Sequence, residues 1–71
     1  MSTSSHDLAI GMLDGYVESM IDTQCSAIAV RASANTALLI FRTLSVITAD
    51  EEAHYNERLR RVYERRQGRV A

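Results

Sequence analysis

Glu51 and His54 stand three residues apart. That is the helical spacing by which a carboxylate and an imidazole, one turn apart, ligate iron or zinc inside a helix bundle. Glu18 is the candidate for a bridging carboxylate. The placement argues against this chemistry. With Tyr55 at the centre of the local apolar stripe, Glu51 lies about 40° away and His54 about 100° away at roughly 100° per residue. Glu51 also has a competing role as a helix cap, and Glu18 points away from the apolar seam of its own segment. The favoured reading is therefore a cap plus a solvated histidine, with no metal and no cofactor. A Glu-x-x-His metal protein is the third-ranked function.

The other reactive side chains are isolated. His6 sits in a first helical turn beside Asp7 and reads as solvated. Cys25 is the single cysteine, so no internal disulfide forms. In a helix it reads as a small apolar residue, in keeping with a reducing, cytoplasmic compartment. No base is placed beside it or beside a hydroxyl in a strained nucleophile turn. No glycine loop of phosphate-binding type occurs. The expectation is a protein that is not an enzyme.

The remaining chemical candidates are cationic and aromatic. Arg58, Arg61 and Arg65 fall on one helix face, with Tyr55 and Tyr63 among them. Tyrosine beside arginine is the composition of protein-interface hot spots, and arginines on one face can grip phosphates. Glu57 and Glu64 interleave with them at ion-pairing spacings, so a salt-bridged solvated face competes with both readings. We take Tyr55, Arg58, Arg61, Tyr63 and Arg65 as candidate partner-binding residues. A larger protein is the leading partner, and nucleic acid the alternative. Net charge is −1, so bulk electrostatics favours no nucleic acid. The distribution is uneven: residues 31–71 hold all eight arginines against five acids, whereas residues 1–30 hold only acids.

The elements that must position these groups are helices. No proline interrupts the chain. Ser4 with Asp7 fits an N-terminal capping box. Ile10, Leu13, Val17, Met20 and Ile28 share a seam of about 80° at helical period, flanked by Ala9, Tyr16 and Ala27. Gly11 and Gly15 lie opposite, either as tolerated glycines or as a close backbone approach by another helix. Asp22, Thr23 and Gln24 offer caps for a break. The first helix, residues 5–46, therefore either runs through or breaks near 22–25. An unbroken helix of about 40 residues would be roughly 60 Å long. A compact monomer of this size has a radius of gyration of about 11 Å, so a rod implies a dimer and a monomer implies a break.

Residues 37–47 are apolar on every face. Leu38, Leu39, Ile40, Phe41, Leu44 and Ile47 cannot all meet one partner, and a helix apolar all round is buried all round. One later helix covers one side; the other side calls for a second copy or another protein. Arg31, Asn35 and Arg42 within Ala27–Ile47 make a membrane span too costly. The N-terminus lacks the basic and apolar regions of a signal peptide. Thr48 with Glu51 forms a second capping box opening a helix over 49–67. Acids fill its first turn and arginines its second half, and Gly68 caps its end. Leu59 and Val62, with the two tyrosines, form its apolar stripe. Residues 1–4 and 69–71 read as flexible tails.

Residues 43–66, TLSVITADEEAHYNERLRRVYERR, resemble the short helical segment called SHOCT. The likeness rests on Ile47, Thr48, Glu51, Glu52 and Leu59 and covers a third of the chain. It departs at Tyr55, where that family usually has phenylalanine in a different register. It implies oligomerisation or partner binding. The plan as a whole is also similar, in size and architecture, to small helical phage proteins that disable host machinery, such as quorum-sensing anti-activators and anti-CRISPRs. These observations predict one all-α domain over residues 1–71. It is a helical hairpin forming a homodimeric bundle, and it acts as a non-enzymatic regulator or inhibitor that occludes a larger protein.

Overall fold

The computed structural model describes residues 4–68. They form three helices: α1 (Ser5–Ile21), α2 (Ala27–Thr43) and α3 (Ala49–Arg66). Ser4 is the N-cap of α1, as its spacing from Asp7 suggests, and so not part of a tail: its Oγ accepts from the Asp7 amide at 3.0 Å. The rest of the two expected tails lies outside the described residues.

The first helix is broken, so the continuous-rod alternative is corrected. The break falls where Asp22–Thr23–Gln24 supply competing hydrogen bonds. Asp22 Oδ1 accepts from the Gln24 amide at 2.9 Å, and the Asp22 carbonyl accepts from the Cys25 amide at 3.1 Å. Short polar side chains draw the backbone out of a helix in this way. Ser26 then starts α2 as N-cap, its Oγ accepting from the Ala29 amide at 3.2 Å. The broken chain spans 43 Å along its longest axis, well short of an unbroken rod.

Each later boundary has an equally local cause. Ser45 takes a left-handed conformation, φ 58°, and turns the chain after α2. Thr48 and Glu51 close a full capping box: Thr48 Oγ1 accepts from the Glu51 amide at 3.1 Å, and Glu51 Oε1 accepts from the Thr48 amide at 2.8 Å. Gly68, at φ 69°, follows the Gln67 C-cap in the left-handed conformation that glycine adopts without strain.

All three helix pairs pack together. The α1 and α3 N-termini meet, because His6 reaches Glu51. Their C-termini also meet, because Arg66 donates to the Met20 carbonyl at 3.2 Å. The helices thus run up, down and up, with α2 antiparallel to both. The expected two-helix hairpin becomes a three-helix bundle.

The core takes Leu13, Val17 and Met20 from α1, Leu38 from α2, Ile47 from the turn, and Tyr55 and Leu59 from α3. It is thin. Among the described residues, four of the eleven that are buried are alanines (Ala9, Ala27, Ala34 and Ala37), and the largest fully buried side chains are Leu13, Met20 and Leu38. Ile28, expected on the α1 seam, is 67 % exposed. The break resets the helix phase, so a residue in register with Met20 on a continuous helix turns outward on α2.

Candidate functional site: an uncharged helix face

The apolar stretch of α2 divides by burial. Leu38 is buried, Ile47 beyond the helix end is buried, and Phe41 is half-buried. Leu39, Ile40 and Leu44 face outward, Leu39 and Leu44 with about two thirds of their surface exposed. Within one chain these three are therefore outside the core; the sequence pattern assigns them to a core or a dimer seam. The reason is geometric: α1 and α3 cover the Ala34–Leu38 side of α2, and among the described residues nothing covers the other.

The uncovered side carries no charge. Taken at 100° per residue, an outward arc of about 180° on α2 holds Ile28, Ala29, Ala32, Ser33, Asn35, Thr36, Leu39, Ile40, Thr43 and Leu44. Both α2 cations lie off this arc. Arg31 sits over the Tyr63 ring at 4.6 Å, and Arg42 pairs with Glu52 at 3.3 Å, so both are turned to α3. The neighbouring face of α1 continues the pattern with exposed Leu8 and Met12 and with Gly11, Gly15 and Ser19. An added Cβ at Gly11 or Gly15 would meet nothing within 4 Å. The close helix approach that these glycines suggested is therefore not made inside the chain.

Between α1 and α2 this face sinks into an open groove of about 490 Å³. Met12 and Tyr16 form one wall and Ile40 and Phe41 the other. Ala32, Ser33, Thr36 and Ala37 line the rest. Small residues on α2 create the recess, because larger ones would fill it against α1.

The α3 candidates have different fates. Tyr55 is only 6 % exposed, so it is not an open contact surface. Its ring fills the α1–α3 interface and its hydroxyl donates to Asp14 Oδ1 at 2.6 Å. Burial, with the Asp14 carboxylate next, pushes its phenol up to about 12. Arg58 lies 3.7 Å from the same Asp14 and stacks over Tyr55 at 5.6 Å. Tyr63 is half-buried beneath Arg31. Arg61 shares Glu57 with Arg60, at 2.9 and 2.6 Å, and Arg60 also reaches Glu64 at 2.8 Å. These guanidinium groups, Arg60 first, hold the Glu57 carboxyl below the usual range. Much of the arginine face is thus an internal ion-pair network on a solvated helix. Arg65 is exposed and lines a second recess of about 410 Å³ with Ile21, Thr23, Val62 and Arg66.

Glu51 is committed on both oxygens. Oε1 caps α3, and Oε2 lies 2.6 Å from His6 Nε2. The Thr48 backbone bond first, then His6, lowers its pKa. His54 is exposed and packs edge-on against Tyr55, with ring centroids 5.2 Å apart. Among the described residues, no three His, Cys, Asp or Glu side chains converge into a metal-binding group. Cys25 is half-buried in the α1–α2 turn, 3.9 Å from Asp22 Oδ2. Among the described residues, no helix is long and apolar enough to cross a membrane.

His6–Glu51 and Asp14–Tyr55 are among the pairings that the sequence does not signal. They join residues 45 and 41 positions apart, and no local spacing signals such a pair. Comparison with protein families, with characterised proteins and with solved structures gives no match. The SHOCT resemblance therefore stands on its own residues alone.

Proposed function

We propose that the chain is a non-enzymatic protein-binding regulator or inhibitor, a small helical homodimer that occludes a surface of a larger protein. One observation carries the reading: the uncharged α1–α2 face exposes Leu8, Met12, Ile28, Leu39, Ile40 and Leu44 together. A contiguous apolar patch of this kind marks an association surface. The α3 side, with Arg61, Tyr63 and Arg65, then turns toward the larger partner. The nucleic-acid alternative loses ground because Arg58, Arg60 and Arg61 already meet carboxylates of their own chain.

The test is affinity capture from the host with mass spectrometry, comparing wild type with an Arg61→Glu/Arg65→Glu double variant of equal helicity. A protein held by wild type and lost with the double variant supports the proposal. Recovery of nucleic acid instead, released steeply by salt, would favour the alternative, since several phosphate contacts give a steep salt dependence.

A further inference from the structure

We infer that the α1–α2 groove and the α2 ridge beside it are the two halves of an isologous interface, and that their occupant is a second copy of this chain. The inference rests on the association reading above and names the body that covers the apolar face.

Three features of the face favour self-pairing. The first is shape. In a two-fold interface the same patch must present both what projects and what receives. Leu39 and Ile28 project from α2, each about two thirds exposed. The recess bounded by Met12, Tyr16, Ile40 and Phe41 lies alongside on the same face. A two-fold axis between ridge and groove seats Leu39 of each copy in the groove of the other.

The second feature is charge. Two-fold apposition brings each residue near its own counterpart, so a charged face would set like charges together. This face has none. Among the described residues the ion pairs lie between α1 and α3, between α2 and α3, along the outer side of α3, and between His6 and Asp7 in the first turn of α1. Gly11 and Gly15 leave the backbone of α1 unobstructed, so nothing there holds a second helix away.

The third is size. A stable interface takes about 800 Å² from each partner, roughly a sixth of the chain's 4873 Å² of accessible surface. Two adjoining helix faces of 17 residues each are a patch of that order. The thin, alanine-rich core makes association the natural supplement, since chains of this length commonly add oligomerisation to a marginal core.

The test is sedimentation equilibrium of the full chain from micromolar to submillimolar concentration, at low and high salt. Wild type should show twice the 7.9 kDa chain mass, with little salt dependence because no charge pair crosses the interface. Leu39→Glu should raise the dimer dissociation constant by about a hundredfold or more, because an unpaired carboxylate would be desolvated. Its helicity should survive, because Leu39 is outside the monomer core. Leu39→Ser is the gentler second variant and should shift the equilibrium the same way. Arg61→Glu, on the outer side of α3, should leave the dimer intact. A wild-type chain that stays monomeric throughout would overturn the inference. So would a dimer that persists in folded Leu39→Glu and Leu39→Ser but dissociates in Arg61→Glu. A monomeric wild type would also remove the homodimer from the proposed function, whereas occlusion of a larger protein through α3 is read separately by the Arg61→Glu/Arg65→Glu capture experiment.

Discussion

Leu38 and Leu39 are adjacent and do opposite things. Leu38 is fully packed between α1 and α3, whereas Leu39 projects from the bundle. Leu38→Ala or Leu13→Ala should therefore cost about 2–5 kcal/mol, the range for emptying a packed site. Leu39→Ala, studied at concentrations where the chain is monomeric, should change stability by less than about 0.5 kcal/mol. Urea melts of the three variants would check this contrast. A Leu39→Ala loss as large as that of Leu38→Ala would put Leu39 back in the core.

Tyr55 supplies a second prediction at this scale. Its phenol is pushed up to about 12 by burial and by the bond to Asp14, against an unfolded value of about 10. A folded value above the unfolded one means the folded chain holds the proton more tightly. The stability contributed by Tyr55 is then complete below pH of about 10, and it is lost as pH rises through about 12. Alkaline unfolding followed by circular dichroism should show this limb in wild type and a weaker one in Tyr55→Phe. Equal limbs in both would refute the buried Tyr55–Asp14 bond.

At the scale of the element, the helix ends were legible and the helix contacts were not. Thr48 and Glu51 announce the start of α3 because a capping box is local, reading over three residues. Asp22 to Gln24 offer caps for a break but leave a continuous helix open, because their side chains bond the backbone only once the chain has turned there. Thr48→Ala should cost about 0.5–2 kcal/mol, as loss of a good N-cap does, and also release Glu51 from its bond to the Thr48 side chain. Thermal melts would measure it. Ser45→Gly should act in the other direction. A left-handed non-glycine residue is strained by about 1–2 kcal/mol, and the gain is partly offset because glycine frees the unfolded chain. A small rise in melting temperature is expected, and a fall would show that the Ser45 side chain matters to the turn.

What sequence could not show at this scale was which side of α2 its neighbours would take. The all-round apolar pattern of residues 37–47 identified a helix needing cover on more than one side. It did not say that α1, after the break, would fold back on the Ala34–Leu38 side and leave Leu39, Ile40 and Leu44 uncovered. Tyr55, by contrast, belongs to the apolar stripe that the sequence assigns to α3, and its burial agrees with that; only its bond to Asp14 of α1 is out of reach of local spacing. The exposure of Leu39 follows from the phase shift at residues 22–26, and helix phase across a break is not encoded in periodicity.

At the scale of the whole molecule, the bundle sorts its surface. The polar pairings tie α1 to α3 through His6–Glu51 and Asp14–Tyr55, and α2 to α3 through Arg42–Glu52. His6–Glu51 and Arg42–Glu52 are reached by solvent and screened by it, so they orient the helices more than they stabilise them. Their placement leaves the exposed arc of α2 free of charge. This side is the proposed surface of association. Methyl NMR spectra recorded over a dilution series test that: Ile28, Leu39, Ile40 and Leu44 should shift with concentration, with Leu13, Leu38 and Leu59 little changed. Methyl signals invariant on this face, or shifts confined to Val62 on α3, would contradict it.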